Sequence, residues 1–70
     1  MVVRDTASFG KALKERRKKL GYTQEFLSQF SGFSISFISD LENGKPTAEL
    51  GKALSLANLL GLDFMLMPRS

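Results

Sequence analysis

The sequence contains no cysteine and no histidine. Without cysteine, neither a disulfide nor a thiolate metal site can form. Without histidine, the commonest general base, the commonest metal ligand and the usual neutral-pH switch are all missing. No cluster of paired carboxylates replaces them, since Asp40 and Glu42 diverge on their helix. An enzyme therefore fits poorly, and no cofactor is expected. No apolar run reaches the roughly 18 residues that span a bilayer. Val2-Val3 is too short for the core of a signal peptide. The expected location is cytoplasmic, with no membrane partner. Seventy residues allow one small domain, residues 1–70. Its core is modest, so association between copies is an expected source of stability.

Positive charge is what the chain has in excess. The net charge is +3, and six of the ten basic residues lie between Lys11 and Lys19. Only Glu15 interrupts Lys11, Lys14, Arg16, Arg17, Lys18 and Lys19. Such a run is either a solvated helix face or a patch that attracts nucleic-acid phosphates.

The apolar pattern is helical throughout, and turn residues divide it. Thr6 or Ser8 is the expected cap of a first helix running to about Leu20. Phe9, Leu13 and Leu20 make its inner stripe, flanked by Arg16 and Arg17. Gly21 stops it. Thr23 caps a second helix from Gln24 to about Ser31, with Leu27 in the core. Ser28 and Ser31 are small enough to let a neighbour approach. Periodicity also assigns Phe26 and Phe30 to the core. Gly32 then turns the chain over Phe33. Ser34 caps a third helix, which Gly44 ends. Residues 23–43 thus trace helix, short turn, helix.

The third helix has two unlike faces. At about 100° per residue, Ile38 and Leu41 point inward, while Ser36, Ser39, Asp40 and Asn43 point outward. This outer face is short, polar and nearly free of bulk, which suits docking against hydrogen-bonding edges such as those of the DNA major groove. Glu42 lies about 40° from Ile38 and so points partly inward. A lone carboxylate there needs a cation, and Arg16 and Arg17 of the first helix both stand at the core edge. An ion pair between the first and third helices is expected.

After Lys45-Pro46, Thr47 is the expected cap of a fourth helix from about Ala48 to Leu60. Leu50, Leu54, Ala57 and Leu60 are its expected inward stripe. Leu56 and Leu59 fall on another face, which points to a second subunit. The tail, residues 62–67, is short and apolar and ends at Pro68. As a strand it has no partner within a helical chain. Pairing across a two-fold axis with its own copy, through Phe64 and Leu66 among others, would satisfy it.

The run from Leu13 to Gly44 resembles the Cro/cI-type helix-turn-helix of phage repressors. Arg17, Gly21, Thr23-Gln24, Leu27, Gly32, Ile38, Leu41, Glu42 and Gly44 carry the likeness. Gly44-Lys45-Pro46-Thr47, the Leu60–Asp63 stretch and the apolar tail are similar to a narrower group, the HipB-like antitoxins of HipA-type kinases. The resemblance implies an all-α, lambda-repressor-like bundle of four to five helices. It adds a short C-terminal β-strand paired across a homodimer that sits on a palindromic operator. It implies base reading by Ser34, Ile35, Ser36, Ser39 and Asp40. Backbone contacts fall to Thr23, Gln24, Asn43 and Lys45, with Gln24 also bracing the recognition helix. It selects Arg17 as the partner of Glu42. No arginine or glutamine stands at Ile35 or Ser36, so thymine methyls, serine hydroxyls and DNA shape would carry the choice of site. Phe26 and Phe30 replace polar residues of the family and mark a protein-contact patch if exposed.

The function expected is a DNA-binding repressor acting as a homodimer. The competing expectation is an antitoxin whose main partner is a HipA-like toxin.

Overall fold

The structure is a computed structural model describing residues 2–70. Four helices follow one another: α1 Thr6–Lys19, α2 Gln24–Ser31, α3 Ile35–Glu42 and α4 Leu50–Leu59. None of them is long and apolar enough to cross a membrane.

Local chemistry explains where the first three begin. The N-cap of α1 is Asp5, where Thr6 or Ser8 was expected. The Asp5 carboxylate accepts from the Ser8 backbone N–H at 2.7 Å. The Ser8 hydroxyl in turn accepts from the Asp5 N–H at 3.1 Å. This reciprocal box satisfies two orphan donors, and an anion suits the positive end of the helix dipole. The bonds from the Ser8 backbone, then from its side chain, hold the Asp5 carboxyl below its ordinary pKa. Thr23 and Ser34 cap α2 and α3 as expected, accepting from the N–H groups of Phe26 and Phe37 at 3.0 Å each. The α2–α3 turn is stitched by the two small serines of α2. The Ser28 hydroxyl donates to the Phe33 carbonyl at 2.6 Å, and the Phe33 N–H donates to the Ser31 hydroxyl. Gly32 supplies the left-handed step between the helices, at φ +81°.

The core joins all four elements: Leu13, Leu27, Ile38, Leu41, Ala53, Leu56, Ala57 and Leu60. Phe9, Tyr22, Phe33, Phe37 and Leu62 close over it, partly buried. Helices α1 and α3 meet closely enough that Gly10 of α1 lies against the backbone carbonyls of Leu41 and Glu42.

Four expectations are corrected here. Leu20 is exposed and lies outside the core, as the cap that ends α1. Phe26 and Phe30 are exposed, at 46% and 58%. On the wheel Phe30 and Phe26 stand about 60° and 100° to one side of Leu27, and the half-buried Tyr22 packs against Phe26. The fourth helix starts at Leu50, with Glu49 as its cap and no side-chain bond, so Thr47 caps nothing. Its inward stripe is Ala53, Leu56, Ala57 and Leu60, a regular i, i+3, i+4, i+7 set. Leu56 is fully buried in its own chain and has no surface to offer a second subunit, whereas Leu50 is 68% exposed. Lys52, Ser55 and Asn58 make the opposite, solvent-facing side of α4, which leaves Leu56 at the centre of the buried face and Leu50 at its edge. Two alanines in the buried set let the helix approach the core closely.

Beyond Leu62 the tail forms no strand in the single chain. Leu62 is tied by its N–H to the Ala57 carbonyl, and Phe64 rests on Phe9 with ring centroids 5.5 Å apart. Met65, Leu66 and Met67 are exposed.

Candidate nucleic-acid interface

The α2–turn–α3 unit is held by a buried ionic network beneath it. Arg17 of α1 donates through Nε to Glu42 Oε2 at 2.6 Å and through Nη2 to Oε1 at 3.0 Å. Its Nη1 reaches the Tyr22 carbonyl at 2.8 Å. Gln24, at the start of α2, donates Nε2 to Glu42 Oε1 at 3.1 Å. The bidentate geometry satisfies both charges in a low-dielectric setting. One carboxylate at the end of α3 therefore collects donors from α1 and α2, and the three helices are fixed in their relative angles. The expected pair of Arg17 and Glu42 is present, and the bracing by Gln24 runs through the same carboxylate.

Arg16 has a different task. Its Nε donates to the Leu60 carbonyl at 2.7 Å, so it caps the C-terminal end of α4. A cation there satisfies an orphan acceptor and faces the negative end of the helix dipole. Sequence reasoning left Arg16 without a role, although its place at the core edge showed that it needed a partner. Both arginines are thus removed from the basic patch expected along residues 11–19. Lys11, Lys14, Lys18 and Lys19 remain exposed.

Above the network, α3 holds out the side chains expected to read bases. Ser34, Ile35 and Ser36 are exposed at its start, while Ser39 and Asp40 are half-buried one turn later. The Ser34 hydroxyl spends an acceptor site on the Phe37 N–H but keeps its own proton to donate. Asn43 Nδ2 leans on Ser39 Oγ at 3.4 Å. Lys45 Nζ lies 3.3 Å from Asp40 Oδ2 across two half-exposed side chains. Such a surface pair contributes little and exchanges easily. Thr23, Gln24, Asn43 and Lys45 stand at the ends of the two helices, on the rim of the ridge that α3 makes. Chemically the ridge offers hydroxyl donors and acceptors, one carboxylate and one branched apolar side chain, with a movable cation beside them.

Along the outer side of α2 runs a ladder of rings, from the half-buried Tyr22 just before the helix to the exposed Phe26 and Phe30, with centroid spacings of 4.8 and 6.1 Å. Of the residues expected at a subunit interface, Leu59, Phe64 and Leu66 present surface and Leu56 does not.

Residues 13–66 match the family described as helix-turn-helix. An uncharacterized HTH-type transcriptional regulator of Sinorhizobium fredii, y4mF, is 37% identical over 59 residues, which are 84% of this chain and 78% of that protein. Among solved structures, the chain of a HipB-O4 20mer complex aligns with a TM-score of 0.87 at 23% identity, over 100% of this chain and 99% of that one. A chain of a HipA-HipB-O2-O3 complex aligns with a TM-score of 0.88 at the same identity and coverage. These two likenesses are of fold.

Proposed function

This chain belongs to the Cro/cI-type helix-turn-helix family of transcriptional regulators, and on that footing we propose that it is a repressor binding as a homodimer to a palindromic operator in double-stranded DNA. The observation that carries this reading is the rigid polar ridge of α3, set on the Arg17–Glu42–Gln24 network. HipB takes the same fold in complexes with a 20mer and with HipA.

In this reading α3 enters the major groove. Ser34, Ile35, Ser36, Ser39 and Asp40 face base edges, and Thr23, Gln24, Asn43 and Lys45 hold the backbone. Gln24 has two amide hydrogens, so one can brace Glu42 while the other meets a phosphate. Lys45 exchanges Asp40 for a phosphate, which frees the Asp40 carboxylate to accept from a cytosine amine. The tail, with Phe64 and Leu66, and the exposed Leu59 join two copies so that their α3 ridges stand about 34–36 Å apart, one DNA turn.

The test is selection of bound duplexes from a random pool at physiological salt, with the mass of the complex measured in solution. Ser36→Ala and Ser39→Ala are expected to lose up to about 1–3 kcal/mol of discrimination between preferred and random duplexes. Lys45→Ala should weaken both alike and lower the salt slope by roughly 1.8, about 0.9 for each subunit of the dimer. Serine variants that lose equally on preferred and random DNA would count against base reading by α3.

The ladder on α2 favours a second role alongside the first, as an antitoxin that binds a HipA-like kinase. The ladder's two exposed rings, Phe26 stacked on Phe30 and backed by the tilted ring of Tyr22, make an apolar anchor of the kind found at interface centres. Replacing Phe26 and Phe30 with serine should leave the melt and DNA binding unchanged. Co-purification with a HipA-like kinase should be lost, and its survival in this variant would remove the ladder from that interface.

A further inference from the structure

An open groove of about 730 Å³ runs between the two ends of the chain. Val2, Val3 and Arg4 line one side, Phe9 and Ala12 of α1 contribute to it, and the tail lines the other side. Its volume falls within the range of about 300–1,000 Å³ common for sites that enclose a partner group. Neither border belongs to a helix, and among the described residues neither 2–4 nor 63–70 makes a backbone–backbone hydrogen bond, though the Arg4 N–H donates to the Ser8 hydroxyl at 2.9 Å.

We propose that this groove is the seat for the tail of a second copy, so that the N-terminal arm Val2–Arg4 forms part of the dimer site and the site is incomplete without the partner. The inference rests on the homodimer reading and adds the arm to it. The occupant is identified by the tail's own alternation. Leu62, Phe64 and Leu66 share one face of an extended segment. Leu62 is partly buried and Phe64 lies on Phe9, yet Leu66, next on that face, is 94% exposed. The tail thus carries an inward-facing side chain for which its own chain supplies no surface. An antiparallel two-fold pairing with Met65 opposite its own copy places Leu66 across from the partner's Phe64, on the aromatic pair that Phe64 makes with Phe9. The charges agree with this register. Asp63, the sole acid of residues 62–70, comes diagonal to the partner's Arg69, and Arg4 lies on the same groove. Pro68, lacking an N–H, ends the pairing. The Val2 and Val3 backbone groups, which make no backbone bond within the chain, can pair on the far side of the incoming strand.

The experiment compares full-length Val3→Asp and Leu66→Asp with the parent by sedimentation equilibrium, and helical circular dichroism checks that each is folded. A carboxylate placed in the filled groove should raise the dimer dissociation constant about tenfold or more in either variant. Because the chain has no cysteine, Val3→Cys and Leu66→Cys proteins mixed under mild oxidation should also yield a covalent heterodimer. Loss of dimer in Leu66→Asp, with Val3→Asp unchanged and no cross-link, overturns the role of the arm and leaves the homodimer reading standing. A parent chain that stays monomeric overturns both.

Discussion

Replacing Glu42 with alanine is expected to lower stability by about 3–5 kcal/mol, because Arg17 would keep its charge inside the protein with no counterion. Both side chains are more than nine-tenths buried, so solvent screening relieves little of that cost. Gln24 would lose its acceptor at the same time. A 70-residue domain has roughly 4–10 kcal/mol in total at about 0.05–0.15 kcal/mol per residue. The variant should therefore melt more than about 10 °C below the parent, or fail to fold at 37 °C. A double variant, Arg17→Met with Glu42→Leu, should recover most of the loss, since removing both charges also removes the desolvation penalty. It should nonetheless bind DNA less well, because the α2–α3 angle and the anchor of Gln24 depend on that carboxylate. A Glu42→Ala melt within a few degrees of the parent would refute the account of the network.

The second large effect is expected from a single methyl group. Gly10→Ala would drive a Cβ into the Leu41 carbonyl oxygen and to 2.7 Å from that of Glu42. These are backbone atoms of α3, so no side chain can swing away, and α1 and α3 must separate. The overpacking should cost about 1–3 kcal/mol or more, which exceeds the roughly 1 kcal/mol that alanine gains over glycine in a helix. Gly51 of α4 provides the control, since a Cβ there meets nothing within 4 Å. Gly51→Ala should stabilise by about 0.4–1 kcal/mol, chiefly by restricting the unfolded chain. Urea titrations of the two variants should therefore move the midpoint in opposite directions. Movement in the same direction would mean that helix propensity, and not the closeness of α1 to α3, governs Gly10.

The helix-turn-helix outline was legible because its signals are local. Thr23 and Ser34 cap through their own hydroxyls, and Gly32 and Gly44 take the left-handed φ that ends a helix. The Arg17–Glu42 pair was legible for a different reason. A carboxylate on the inner side of α3 has few physical remedies, and the basic residues at the edge of α1 narrowed them. Asp5 was passed over because a capping box splits the signal between two residues, and Ser8 by itself looks like a cap.

Other features were decided by how the elements pack. Phe26 and Phe30 are as apolar as any core residue, and only the seating of α2 through Leu27 turns them to the surface. Leu56 exchanged places with Leu50 because α4 docks with Lys52, Ser55 and Asn58 to solvent, which centres Leu56 on the core and leaves Leu50 at the edge of the first turn. The length of α4 followed its docking, with Arg16 on the Leu60 carbonyl at one end. The role of Gly10 is invisible in one dimension, since it depends on two backbones 31 residues apart in sequence meeting at Leu41.

By itself, the sequence determined which segments are helical, where α2 and α3 start and stop, and that one polar face of α3 stays clear of the core. Those outcomes follow from hydrogen bonds and dihedral preferences within a few residues. The tertiary structure alone decided which apolar side chains the core admits, that Arg16 serves the end of α4, and which rings stand exposed. Those choices depend on shape and charge between distant segments, and many sequences with the same periodicity would leave them open.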